Sequence, residues 1–262
     1  MSSVTYSSDG TVGTIRISRP ERRNALNHAA LDLLHESVRS AADDELRCLV
    51  LTGDSGHFCA GADLTELEDL AFTDDLRAAL DALGALPFPT IAAIAGSCMG
   101  LGMQLALACD LRIATADARF AVPVAKLGLM VDHWTIRRLS MCAGHSGARW
   151  MLMTARPVDA AQAHRFGLVQ QLVGGPAVDG SVGDPDGVVL DAATELATEI
   201  SRLAPLALSG SKLGLDLLEN PGTAADQEGS YRAAFERAWE SQDLVEGRRA
   251  FQARRPPEFK GL

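Results

Sequence analysis

Lysine is almost missing from this chain: only Lys126, Lys212 and Lys260 occur, so its positive charge is nearly all arginine. Acidic residues outnumber basic ones, 34 to 24, for a formal charge of −10. Nucleic-acid binders usually show a basic balance or a basic stripe, so no nucleic-acid partner is expected. No apolar run approaches the ~20 residues that a bilayer-spanning helix needs. Met1 to Gly10 is polar and carries no apolar signal core, so no secretory leader is expected and membrane association is not evident. Cys48, Cys59, Cys98, Cys109 and Cys142 are odd in number and widely spread. That pattern fits neither a disulfide framework nor a CxxC metal site. It suits small buried hydrophobes in a reducing cytoplasm. The six His do not cluster at ligand spacing, so no metal is expected.

What the chain does have is length and apolar content. With 262 residues, 47% of them hydrophobic, it can bury a core without staples. Thr11 to Ser18 reads as a strand, and Ala25 to Ser40 as an amphipathic helix with Leu26, Ala30, Leu33, Leu34 and Val38 on one face. Cys48 to Thr52 and Thr90 to Ala95 read as buried strands, and Leu76 to Leu86 as a helix stopped by Pro87. Gly100 to Ala108 has helical spacing, and Asp110 to Ala114 returns to strand. Alternating strands and helices predict an α/β fold. Beyond about Gly144 the pattern turns mainly helical, interrupted by a Gly-, Asp- and Pro-rich segment, Gly174 to Gly187, that reads as a flexible surface loop.

Two segments carry candidate chemistry. They are Phe58-Cys59-Ala60-Gly61-Ala62-Asp63-Leu64 and Gly96-Ser97-Cys98-Met99-Gly100-Leu101-Gly102-Met103-Gln104. Each follows a strand, and each uses small residues where a backbone could approach a ligand. The second opens a helix, whose first N–H groups lack internal partners and favour negative charge. One N–H from each segment could form an oxyanion hole. A dinucleotide fingerprint is not completed, because Leu105 stands where its third glycine should be.

With these segments in view, the chain resembles the enoyl-CoA hydratase/isomerase family, the crotonase superfamily. The likeness starts at Arg19-Pro20-Glu21-Arg22-Arg23-Asn24-Ala25-Leu26 and runs through both segments above. It continues in Phe120-Ala121-Val122-Pro123, in Gly128-Leu129, in Ala160 to Val169 and in the tail Arg255 to Gly261. The resemblance implies a spiral core of ββα units over residues 1–190, followed by a helical C-terminal trimerisation region over 191–262. It implies an acyl-CoA or enoyl-CoA ligand, no separate cofactor, and a homotrimer or hexamer. Oxyanion amides are expected at Ala62 and Leu101. CoA contacts are expected at Arg22, Arg23, Ala25, Ala60, Asp63 and Leu64, and from Phe259 and Lys260 of the tail. The guanidinium of Arg22 suits phosphate oxygens.

The chain departs from the family where hydration needs acid and base. Hydratases of the family carry one glutamate at the place of Gln104 and another at the place of Val124. Neither residue here can exchange a proton near pH 7. Asp132 survives nearby as a candidate acid/base, or as a residue that only hydrogen-bonds a neighbour. His133 could titrate at physiological pH, and Trp134 is a candidate wall of the acyl pocket. The expectation is an acyl-CoA-binding member of fatty-acid or lipid metabolism without normal hydratase activity. The alternative is an active enoyl- or dienoyl-CoA isomerase, or related lyase, that uses Asp132.

Overall fold

The computed structural model describes residues 2–63, 71–174, 184–219, 232–237 and 239–262. A six-stranded sheet carries the fold. Its strands are β1 (Val4–Asp9), β2 (Val12–Ile17), β3 (Cys48–Gly53), β4 (Thr90–Ile94), β6 (Leu111–Thr115) and β9 (Gln171–Val173), in that spatial order. β1 and β2 form an antiparallel hairpin, and every later pairing is parallel. A smaller sheet holds β5 (Ser97–Met99), β7 (Arg119–Ala121) and β8 (Val158–Asp159). Helices α1 (His28–Asp43), α2 (Ala71–Gly84), α3 (Leu101–Ala108), α4 (His133–Thr154) and α5 (Ala160–Arg165) alternate with these strands. Helices α6 (Pro185–Ser201), α7 (Pro205–Glu219) and α8 (Gln242–Ala253) follow.

The continuous apolar runs of β3 and β4 have a direct cause. Both strands are buried along their whole length because helices cover both faces, as parallel sheets require. On one face Leu49 and Leu51 meet Leu31, Leu34, Val38 and Leu80 from α1 and α2. On the other, Val50, Ile91 and Ile113 meet Val189, Ala193, Ala197 and Ile200 of α6, spaced one helical turn apart. Residue 190, the expected boundary, falls inside α6.

Some elements differ from the expectations. The helix expected from Ala25 starts at His28, because the Asn27 side chain caps it by accepting from the Ala30 N–H. Leu26 instead bridges Ala62 in parallel. The polar N-terminus forms β1, whose alternation is masked by exposure of most of its residues. Of the Gly174–Gly187 segment, residues 175–183 lie outside the described residues, and Pro185 to Gly187 already belong to α6.

Polar ties hold the later helices to the sheet. The buried Lys212 of α7 pairs with Asp110 at 2.9 Å, and Asp110 also accepts from the Thr90 N–H and hydroxyl. The C-terminal tail folds back on α8. Asp243 accepts the Lys260 and Gly261 amides, and Glu246 pairs with Arg255 and accepts the Glu258 amide. The Arg255 guanidinium first, then the Glu258 amide, holds the Glu246 carboxyl down at about 2. Its folded pKa is depressed from the ordinary carboxyl value of about 4.5, so its contribution is present above that value and fades as pH falls toward about 2. Amide exchange at Glu258 and its neighbours is therefore expected to lose protection over that window, before the core does. Equal protection at pH 2 and pH 6 would contradict this.

Among the described residues no helix is long and apolar enough to cross a membrane. Burial pushes the thiols of Cys48, Cys59 and Cys109 up to about 12 and that of Cys98 well above its ordinary value. These four cysteines pack as hydrophobes, while Cys142 is half-buried.

Candidate active site

The carboxyl ends of β2, β3 and β4 lead into the three segments singled out above. Ligands of open parallel sheets gather at such ends. Here the segments zip together by short stretches of backbone pairing. Leu26 N–H donates to Gly61 O at 2.9 Å, and Asp63 N–H to Leu26 O at 2.7 Å. Cys59 N–H donates to Ser97 O at 2.9 Å, and Met99 N–H to Cys59 O at 3.0 Å. A third strand closes the group, because Gly100 N–H donates to Ala121 O at 2.9 Å.

This zipper brings the Ala62 and Leu101 amides to one place. A Cβ added at Gly61 would stand 3.9 Å from the Leu101 nitrogen. Neither the Ala62 nor the Leu101 N–H has an acceptor among the described residues. Two backbone donors on neighbouring segments, unclaimed among the described residues and one of them at a helix start, are the kind of groups a developing oxyanion needs. Gly100 makes the corner possible: its φ of 53 with ψ of −113 is a conformation that a side chain would strain. Leu101 then enters the helix with negative φ, so its Cβ costs nothing in backbone strain.

The Arg19–Ala25 loop is braced from inside. Arg23 and Asn24 both have positive φ, 50 and 61, which Asn tolerates better than most residues. Asn24 is fully buried. Its amide donates to Asp54 O and His57 O, and its oxygen accepts from Arg19 N–H. Arg19 donates to Ala25 O and pairs with Asp63 at 3.3 Å, while Arg22 Nε stands 3.8 Å from the same carboxylate. Asp63 is buried, so its side chain serves the loop rather than the open surface. Arg23 is exposed and has no ion pair among the described residues, leaving its charge for a ligand. Burial first, and the Arg23 guanidinium second, hold His57 below the ordinary imidazole value. Its Nδ1 accepts from the Ser97 N–H at 3.3 Å.

The candidate acid/base positions form a second group. Gln104 sits one turn into α3, and Asp132 is the N-cap of α4. Asp132 Oδ1 accepts from Thr135 N–H at 2.9 Å. Its Oδ2 accepts from the Thr135 hydroxyl at 3.0 Å and from Gln104 Nε2 at 3.2 Å. Gln104 Nε2 also donates to Thr135 Oγ1 at 2.8 Å. Both lone pairs of Oδ2 are thus engaged within the protein, so the geometry favours the hydrogen-bonding role of Asp132 over an acid/base role. Val124 is half-buried in the short turn Pro123–Leu127, two residues after β7, and packs against the main core. His133 is exposed at the first position of α4. The half-buried Trp134 also packs on that core and lies under the Arg77 guanidinium, 4.4 Å from the ring centre.

The structure therefore pairs the backbone segments that carry Arg23, Ala25, Ala60, Ala62, Asp63 and Leu101, sets Arg22 against Asp63, and ties Gln104 to Asp132 and Thr135 as a separate group. Leu64 lies outside the described residues. Phe259 and Lys260 are elsewhere. The Phe259 carbonyl accepts from Arg47, just before β3, whereas the site lies beyond the other end of that strand. A six-residue strand separates the two by roughly 20 Å.

Sequence reasoning missed four braces. Asn24 and Arg19 were visible only as members of a motif, and nothing marked Thr135. Arg112 is a fourth such residue. Buried, it donates to the carbonyls of Ala106, Cys109, Asp110 and Leu168, closing the far end of α3.

Residues 7–262 match the family model described as enoyl-CoA hydratase/isomerase. The "Probable enoyl-CoA hydratase echA6" of Mycobacterium leprae (strain TN) is 40% identical over 255 residues, covering 95% of this chain and 96% of that protein. The 2,3-dehydroadipyl-CoA hydratase of Escherichia coli (strain K12) is 36% identical over 268 residues, with both chains fully covered. Among solved structures, an enoyl-CoA hydratase from Bacillus anthracis superposes with a TM-score of 0.86 at 26% identity, over 99% of this chain and 100% of that one. This chain belongs to the enoyl-CoA hydratase/isomerase family, of the crotonase superfamily.

Proposed function

We propose that this protein binds a fatty acyl-CoA thioester in the cytoplasm and holds its carbonyl oxygen without ordinary hydratase turnover. The observation that carries this reading is the pair of unclaimed amides at Ala62 and Leu101. The positions where the family's hydratases carry their glutamates hold Gln104 and Val124 here, neither of which can move a proton. The exposed Arg23, with Arg22 beside it, supplies positive charge for the CoA phosphates. Ala25, Ala60 and Ala62 leave room for the nucleotide and pantetheine to lie close to the backbone.

Calorimetric titration tests this. CoA and acyl-CoA of several chain lengths are expected to bind, and Arg23→Ala to weaken them about tenfold, the usual scale for a charge-assisted contact. Binding of no chain length would sink the reading. In the same reading the protein is a trimer or a pair of trimers, as closed symmetry favours. Phe259 and Lys260 then approach the CoA of a neighbouring subunit, since they lie at the far end of β3 from their own site. A monomer by light scattering at micromolar concentration would contradict the assembly.

A further inference from the structure

A cavity of about 470 Å³ lies between the α2–β4 connection, one face of α7 and the helical segment at residues 232–237. Leu86 and Pro87 of its wall come just before Thr90, the first residue of β4, whereas the candidate active site lies beyond Ile94, the last. Five strand residues put roughly 15 Å between the two. Leu206, Gly210, Leu213 and Asp216 recur every three or four residues, so they share the face of α7 that lines the cavity. The other helical segment crosses at Gly210, where an added Cβ would stand 3.7 Å from Ala234 Cβ. From this crossing Asp216 is ~9 Å along α7, and Arg237 is ~4.5 Å along the other segment. Both side chains line the cavity.

The charges around it pair off, with two left over. Lys212 also lines the cavity, but its ammonium donates to Asp110 at 2.9 Å and to Phe88 O at 3.2 Å. Arg138 pairs with Glu219 at the end of α7. The half-buried Asp216 carboxylate and the exposed Arg237 guanidinium have no ion pair or hydrogen bond with each other or with any other described residue. Burial first lifts the Asp216 carboxyl above its ordinary value, and the nearby Lys212 ammonium opposes this without cancelling it. A carboxylate beside leucine walls lacks donors, while the guanidinium offers a planar fork of them. A cation alone would suit Asp216 but meet the charge of Arg237, and an anion alone would meet the reverse.

We propose that this cavity binds an α-amino acid with an aliphatic side chain, its ammonium on Asp216, its carboxylate on Arg237 and its side chain against Leu86, Pro87, Leu206 and Leu213. Such a ligand carries both charges on one carbon and answers each unpaired group with its opposite. The volume is ordinary for a small-molecule site. The site is separate from the thioester grip and does not depend on the acyl-CoA reading.

The test is calorimetric titration of the intact protein with L-leucine, glycine, 3-methylbutylamine and 4-methylpentanoate. The last two are leucine without its carboxylate and leucine without its ammonium. L-Leucine is expected to bind at least ~tenfold more tightly than each of the others, the scale of one charge-assisted hydrogen bond or one buried leucine side chain. Asp216→Asn should weaken leucine about tenfold and leave 4-methylpentanoate unchanged. Arg237→Gln should weaken leucine as much and leave 3-methylbutylamine unchanged. Neither residue carries the Lys212–Asp110 tie, so both variants are expected to melt with the wild type. If either melts early, the wild-type order of the four ligands decides alone. An amine that binds as tightly as leucine would mean a plain cation site, and an equally tight carboxylate a plain anion site. Either result overturns the assignment. So would glycine binding as well as leucine, leucine binding that neither well-folded variant weakens, or binding of none of the four.

Discussion

Crotonyl-CoA is expected to be hydrated at least ~10²-fold more slowly by this protein than by a hydratase that keeps both glutamates, the loss that follows removal of a positioned acid or base. Losing two partners of one machine does not square the penalty. The hydrogen bonds around Gln104 sharpen the corresponding gain-of-function experiment. Restoring Gln104→Glu and Val124→Glu puts a carboxylate where the Gln104 amide now lies 3.2 Å from Asp132. Two carboxylates at that range cannot both ionise easily, so one takes up a proton and its pKa rises. The double variant is therefore expected to stay slow near neutral pH and to have its pH profile shifted upward. Adding Asp132→Asn removes the like charge and keeps a cap on α4. This triple variant is expected to hydrate crotonyl-CoA faster than wild type by ~10²-fold, as restored acid–base catalysis allows. Steady-state assay of the three proteins across pH decides the matter. Wild-type turnover comparable with a family hydratase would mean that Asp132, or another group, supplies the proton chemistry after all.

Gly102→Ala is expected to damage both stability and ligand binding. A Cβ at Gly102 would lie 2.2 Å from Cys59 O and 2.9 Å from Cys59 Cβ. The obstacle is backbone that cannot step aside, because Cys59 is pinned on both its N–H and its carbonyl to Ser97 and Met99. Helix α3 must retreat instead. Overpacking of this kind costs about 1–3 kcal/mol and occasionally more, against ~1 kcal/mol of helix propensity gained by replacing glycine. The net cost of up to about 2 kcal/mol corresponds to a drop in Tm of a few °C, up to roughly 8 °C, for a chain of this size. The retreat also carries the Leu101 N–H away from Ala62, and misplacement by about 1 Å can cost ~10² in function. Gly84→Ala is the matched control. That glycine sits in α2 with nothing within 4 Å of an added Cβ, so the substitution should be neutral or mildly stabilising. Thermal melts of the pair, followed by titration with acyl-CoA, would sink the argument if Gly102→Ala melted with the wild type and bound as well.

Much of the core was legible because periodicity reports burial directly. Cys48 to Thr52 and Thr90 to Ala95 read as fully buried strands, and they are buried on both faces. Helix starts were less legible. The periodic pattern of α1 runs back through Leu26, but a side-chain cap at Asn27 ends it, and the apolar Leu26 is spent on pairing with Ala62. β1 escaped notice because most of its residues face outward and its burial pattern shows little alternation. The two small-residue segments stood out next to strand ends because glycine marks where backbones approach closely, and there the structure pairs them. Asp132 shows the opposite limit. Its type and position allowed an acid or a tether, and only the hydrogen-bond directions around Oδ2 favour the tether. Thr135 carried no signal at all, since a threonine early in a helix is unremarkable until its hydroxyl is seen to link two other side chains.

The two unclaimed amides that the proposed function assigns to the thioester oxygen belong to the main chain, and their spacing is fixed by rungs of pairing between Leu26, Gly61, Cys59, Ser97 and Met99. No single side-chain replacement can delete either donor, short of proline. The reactive side chains hang from the same frame but take no part in its pairing. In the proposed function, such a division would let inheritance exchange the side chains at positions 104, 124 and 132 without rebuilding the grip on the thioester. A chain can stop being a catalyst and remain a receptor, and the reverse step stays open to it.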